Sequence, residues 1–178
     1  MSRTATGVVC LAFVLLTGLA PGARAQVADP VGPSLGVAFG FTADPGTFLL
    51  AFEAPFEVAE RLTVGPLVQL GLSDDWTIVA PTANVRYAFD LSDSSNADVR
   101  KLRPFIQGGL GFGYLEKDRR RGDDDDTRFL FNLGGGVEYY LTDNVALGSN
   151  MLLNVLPDSA VGENVFFSWQ LGSVRFVF

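Results

Sequence analysis

Between Pro104 and Leu141 the chain alternates apolar positions with glycine or polar ones, in two runs, PFIQGGLGFGYL and RFLFNLGGGVEYYL. In the first, Ile106, Leu110, Phe112 and Tyr114 share one face, with Gly108 among them. Gln107, Gly109, Gly111 and Gly113 share the other. In the second, Phe129, Phe131, Leu133, Val137, Tyr139 and Leu141 oppose Arg128, Asn132, Gly134, Gly136 and Glu138. Side chains alternate across a strand, so both runs predict β-strands with one greasy face and one polar or glycine face. Such a glycine- and amide-rich face suits a cramped, wet interior, with the apolar face turned outward to lipid.

The same period runs through the rest of the chain. Ser34–Thr42 carries Leu35, Val37, Phe39 and Phe41 against Gly36, Ala38 and Gly40. Thr47–Val58 sets Phe48, Leu50, Phe52 and Phe56 against Ala51, Glu53 and Glu57, and Leu62–Ser73 sets Val64, Val68, Leu70 and Leu72 against Thr63, Gly65, Gln69 and Gly71. Thr77–Asp90 opposes Val79, Val85, Tyr87 and Phe89 to Thr82, Asn84 and Arg86, and Val145–Val155 opposes Leu147, Met151, Leu153 and Val155 to Gly148, Asn150 and Asn154. Asn164–Phe178 makes the eighth strand. Each averages about ten residues, the length a tilted strand needs to cross a hydrocarbon core. The expected fold is all-β: an eight-stranded antiparallel up-and-down transmembrane β-barrel.

Two features disturb the pattern. Pro55, Pro66 and Pro81 fall inside strands, where a missing N–H calls for bulges or strand ends. In the last strand Phe178, Phe176 and Val174 keep one phase, whereas Leu171, Trp169 and Phe167 keep the other. Either a bulge near Gly172 flips the register, or Trp169 and Phe167 plug the interior.

The chain opens with Arg3, an apolar core from Gly7 to Leu19, and Ala23-Arg24-Ala25, the three-part plan of a secretory signal peptide over 1–25. Residues 26–33 read as a flexible leader and 34–178 as the barrel domain. Cys10 lies within the apolar core, which argues against lipoprotein processing and leaves the mature chain without thiol chemistry. Without the signal, eleven cations face twenty acids, a net charge of −9. So acidic a chain gives no footing for nucleic acid. With both ends on the periplasmic side, the loops near 43–46, 74–75, 116–127 and 157–163 face outward. Tyr87, Phe89, Tyr139, Phe176 and Phe178 then form one aromatic belt, and Phe41, Phe48, Trp76, Tyr114 and Phe129 the other.

The signal segment, the eight alternating segments, PFIQGGLGFGY, the GGGVEYYLTDNVAL run and the terminal Phe178 together resemble the small outer-membrane β-barrel family. Its best-known members include the barrel of outer-membrane protein A and outer-membrane protein X. The resemblance implies residence in the cell outer membrane among lipid and lipopolysaccharide, insertion by the barrel-assembly machinery, and an assembly signal at Phe178 and Phe176. It implies no single activity, since the family includes scaffolds, adhesins, narrow pores and enzymes. No peptidoglycan-binding domain is expected after the barrel.

Candidate chemistry is sparse. The chain has no histidine, so a hydroxyl nucleophile lacks its usual base and catalysis is not expected. No cofactor and no metal site are expected, the usual zinc ligands being absent. The run Arg119, Arg120, Arg121, Gly122, Asp123, Asp124, Asp125, Asp126 contains an Arg-Gly-Asp tripeptide and could offer carboxylates to a hard cation. A solvated, self-paired extracellular loop explains it more simply, and any surface ligand stays unidentified. Glu53, Glu57, Arg86, Glu138 and Arg175 carry the inward phase of their strands and are expected to pair across a narrow lumen. The expected role is structural or surface-interacting. A narrow pore for ions or small solutes is the alternative, suggested by the inward glycines.

Overall fold

The computed structural model describes residues 33–91, 93–117, 124–157 and 164–178, with the backbone alone for 124–126. The predicted signal peptide, and the leader apart from Pro33, lie outside these residues, as do Arg119, Arg120, Arg121 and Asp123. The strands are β1 (Ser34–Ala43), β2 (Thr47–Glu53), β3 (Phe56–Ala59), β4 (Leu62–Leu72), β5 (Trp76–Ala88), β6 (Leu102–Lys117), β7 (Asp124–Thr142), β8 (Val145–Val155) and β9 (Val165–Val177). A 3-10 turn, Val99–Lys101, precedes β6.

All pairings are antiparallel, and the sheet closes on itself: β1 pairs with both β2 and β9, while β2 and β3 both pair with β4. β2 and β3 hold the same register on β4, Glu53 opposite Leu67 and Phe56 opposite Val64. They are therefore two halves of one stave, and the barrel has eight. The break falls at Ala54-Pro55, facing Gly65-Pro66, where two prolines withhold ladder donors. Ala54 N–H still reaches the Pro66 carbonyl (3.1 Å), and Ser34 N–H reaches that of Pro55 (3.0 Å).

Pro55 lies at a strand end, as its chemistry requires, but Pro66 and Pro81 depart from expectation. Both sit mid-strand in unshifted register, Pro66 opposite Ala83 and Pro81 opposite Val68. Toward β6 the ladder lapses between Val79–Tyr114 and Thr82–Gly111 and resumes without a slip. One missing donor thus costs local bonds, not register. The phase change in β9 is a bulge: Phe39 faces Gly172 and the next residue, Gly40, faces Gln170, skipping Leu171. Phe167 and Trp169 consequently face outward, and Phe166, Ser168 and Gln170 are buried inside.

Outward positions carry the exposed apolar side chains, among them Leu133 at 67% and Phe112 at 60%. This surface is stable only against hydrocarbon; in water it would be one continuous exposed patch. Among the described residues no helix is long and apolar enough to cross a membrane. The crossing belongs to the strands.

The interior is less polar than the alternation implied. Leu49, Leu67, Ile78, Leu115, Leu130, Leu152, Leu156 and Phe166 are almost wholly buried. Trp76, expected in the outer aromatic belt, instead points inward at 9% exposure. The cause is the pleat: Trp76 shares its phase with Ile78, Ala80 and Arg86, all on the inner face. The Lys117 ammonium lies 4.5 Å from its ring centroid.

Candidate functional site in the barrel lumen

The lumen is filled in layers. Nearest the end that carries Ser34 and Val177, Glu53, Arg86, Glu138 and Arg175 meet on the barrel axis. They come from β2, β5, β7 and β9. Arg86 Nη2 lies 2.7 Å from Glu53 Oε2 and Nη1 lies 2.7 Å from Glu138 Oε1. Arg175 Nη2 lies 2.7 Å from Glu53 Oε1 and 2.7 Å from Glu138 Oε1. Each carboxylate is thus shared by two guanidiniums and each guanidinium by two carboxylates, so the quartet is neutral. Arg86 further donates from Nε (3.1 Å) and Nη2 (2.9 Å) to Gln107 Oε1, and its guanidinium stacks 4.1 Å from the Phe105 ring centroid. Buried charge is costly unless paired and fully bonded, and here each charge is both.

The backbone makes this convergence possible at Gly36. Gly36 lies between Glu53 on one neighbouring strand and Arg175 on the other. A Cβ there would stand 2.6 Å from both Cγ and Oε1 of Glu53. Glycine leaves the space through which Arg175 reaches Glu53.

Glu57, expected with these four, stands apart. It lies beyond the Pro55 break, nearer the mouth, where it accepts the Arg61 N–H at 3.3 Å. Asp124, Asp125 and Asp126, expected in the extracellular loop, have their backbone in β7, opposite Lys117, Glu116 and Leu115. The reason is that the β6–β7 ladder continues past the apolar band. Phe176 is exposed on the outer face, and Phe178 follows β9, its N–H bonded to the Pro33 carbonyl at 3.1 Å. Gln107 and Phe105 belong to the quartet's setting but were not singled out from sequence. The available signal was Gln107 as the one amide on the inner face of β6, next to Gly109, Gly111 and Gly113.

Deeper in the barrel, Gln69, Asn154 and Ser168 close a ring of hydrogen bonds. Gln69 Nε2 donates to Asn154 Oδ1 (2.9 Å), Asn154 Nδ2 to Ser168 Oγ (3.0 Å), and Ser168 Oγ to Gln69 Oε1 (2.6 Å). β4 does not neighbour β8 or β9, so this ring spans the lumen. Beside it, Asn84 and Asn132 both donate to Thr82 Oγ1 (2.7 and 3.2 Å). An apolar group, Ala38, Ala51, Leu67 and Leu152, also joins opposite walls. At the far end Trp76, Ile78, Ala80, Leu115, Leu130, Leu156 and Phe166 form a dry cluster. Both Asn150 amide atoms lack a partner among the described residues, a polar cost this packing does not offset.

A family model described as an outer membrane protein beta-barrel domain matches residues 11–159. Among curated proteins, no sequence matches the chain. Neisserial surface protein A superposes with a TM-score of 0.65 at 18% identity, covering 85% of this chain and 100% of its own. The N-terminal barrel of Pseudomonas aeruginosa OprF gives 0.66 at 14% identity, with 84% and 100% covered. Ail, the attachment invasion locus protein of Yersinia pestis, gives 0.52 at 14% identity, also covering 84% and 100%. At such identities the likeness is one of fold.

Proposed function

The chain belongs to the outer membrane protein beta-barrel domain family and resides in the outer membrane of a Gram-negative bacterium, and from that premise we propose that it is a closed, non-catalytic barrel that reinforces the envelope and presents short loops outside. The observation that carries this reading is the filled lumen: salt-bridged quartet, amide ring and apolar cluster in succession. The inward glycines that would favour a pore are occupied by their neighbours. A Cβ at Gly71 would meet Thr47 Oγ1 at 2.4 Å, and one at Gly113 would meet Leu156 Cδ2 at 2.6 Å. An eight-stranded barrel is in general just wide enough for its own side chains.

The lumenal carboxylates Glu53 and Glu138 are committed to guanidiniums, which leaves no free acid–base pair there for catalysis. In this reading residues 1–25 are removed on export and the assembly machinery recognises the Phe176–Phe178 end. The terminal end then faces the periplasm, because its loops need not cross the bilayer. The loop with Arg119–Arg121 lies outside, within reach of lipopolysaccharide phosphates; Ail, of like fold, has been solved with a heparin analogue.

Deleting the gene separates the two roles. A reinforcing barrel, once lost, leaves cells more sensitive to detergent and to large antibiotics. Reduced uptake of small solutes, with the envelope otherwise intact, would overturn the reading in favour of a pore.

A further inference from the structure

The barrel mouth at the terminal end holds a cavity of about 440 Å³ between the charged quartet and the opening. Arg100, Lys101, Arg103 and Tyr140 line it, together with the carboxylates Glu57 and Asp143. Arg175 also reaches it, but its charge is already balanced by Glu53 and Glu138. Arg100, Lys101 and Arg103 differ: among the described residues none of them forms a salt bridge, although the chain as a whole carries a net charge of −7. Three cations without a salt bridge therefore collect at one opening of an acidic protein, against the two carboxylates Glu57 and Asp143. The Thr63 hydroxyl in the same wall has no hydrogen-bond partner.

Ring contacts hold two of these cations on either side of the rim. The Arg103 guanidinium stacks 4.6 Å from the centroid of inward-facing Tyr140, and the Lys101 ammonium lies 5.9 Å from that of outward-facing Tyr139. Arg103 lines the cavity without a salt bridge among the described residues, so its guanidinium fork is available to an oxyanion. Lys101 reaches toward the level at which lipid headgroups meet the aromatic belt.

We propose that this mouth is a binding site for a phosphate group, free in solution or carried on a lipid headgroup. Three cations clustered at the mouth suit a phosphate better than a single carboxylate ligand. Phosphate offers three strong acceptor oxygens and up to two charges, and planar guanidinium forks match it in bidentate fashion. The site is separate from the quartet and does not rest on the lumen being closed. Only its facing the inner leaflet rests on the orientation proposed above.

The test uses the full barrel in neutral maltoside micelles, titrated with inorganic pyrophosphate by calorimetry. Binding is expected, weakening as salt rises. Arg103→Gln alone should weaken it roughly tenfold, as loss of a charge-assisted bond implies. The variant with Arg100, Lys101 and Arg103 all changed to Gln should abolish it. Arg128→Gln, at the far end, should leave it unchanged, and the heat-dependent gel shift verifies that each variant is folded. Repeating the titration in phosphatidylglycerol nanodiscs distinguishes the source. Lost pyrophosphate binding there means that lipid headgroups fill the site, and retained binding means a soluble phosphate. No binding in micelles, or binding that the triple variant leaves unchanged, overturns the proposal.

Discussion

Arg86 bonds three acceptors on three other strands, Glu53, Glu138 and Gln107. Truncation to alanine strands two carboxylates beside the single remaining guanidinium of Arg175. Breaking a buried pair from one side costs about 3–5 kcal/mol where the site is dry, less where water enters, and urea unfolding from lipid vesicles measures it. Arg86→Lys should recover part of the loss, because an ammonium supplies charge but not the planar fork. Gly36→Val tests the same cluster from the backbone side. With its Cβ 2.6 Å from Glu53 Cγ, it should destabilise by about 1–3 kcal/mol, as overpacking does. Gly46→Ala should be tolerated by comparison, since its nearest neighbour would be 4.0 Å away. Equal stability of the two variants would mean that the Glu53–Arg175 approach does not need the glycine. In the sequence, the alternation already put Glu53, Arg86, Glu138 and Arg175 on inner faces. It could not separate Glu57 from them, because only the Pro55 break decides how far each reaches along the axis.

At the scale of the strand, legibility depended on contrast between the two faces. β1 alternates cleanly and its faces were readable residue by residue. Where both faces are apolar, as in Phe48-Leu49-Leu50 and Phe129-Leu130-Phe131, the pattern names the strand but hides the inward member. Leu49 and Leu130, both fully buried, are such cases, and Leu130 belongs to the dry layer at the far end, which the pattern therefore did not disclose. Trp76 misled for a related reason: an aromatic at a strand end fits a membrane belt, and only its pleat phase sends it inside. The closing strand carries a test of assembly. Phe178 N–H holds the Pro33 carbonyl, and its ring ends the outward phase of β9. Deleting Phe178 should trap the protein in the periplasm and remove the mobility difference between unboiled and boiled samples on a detergent gel; normal outer-membrane yield would contradict this role. Topology is checked at the β6–β7 hairpin. Trypsin added to intact cells should cut first at Arg119–Arg121, and protection until the outer membrane is opened would reverse the assigned orientation.

For the whole molecule, outer and inner surfaces obey different solvents. The outer face exposes Leu, Val and Phe to lipid, while the inner face is consumed by its own side chains. Strand count sets that outcome: eight staves enclose a volume that side chains can fill, and this sequence fills it with ion pairs, amides and leucines in turn. A barrel sealed at three levels should not pass ions. Planar-bilayer recording is the direct measurement. Purified wild-type barrel is expected to show no steady unit conductance, and Arg86→Ala is expected to raise the leak. A steady, reproducible unit conductance from the wild-type barrel would contradict the closed lumen on which this account rests.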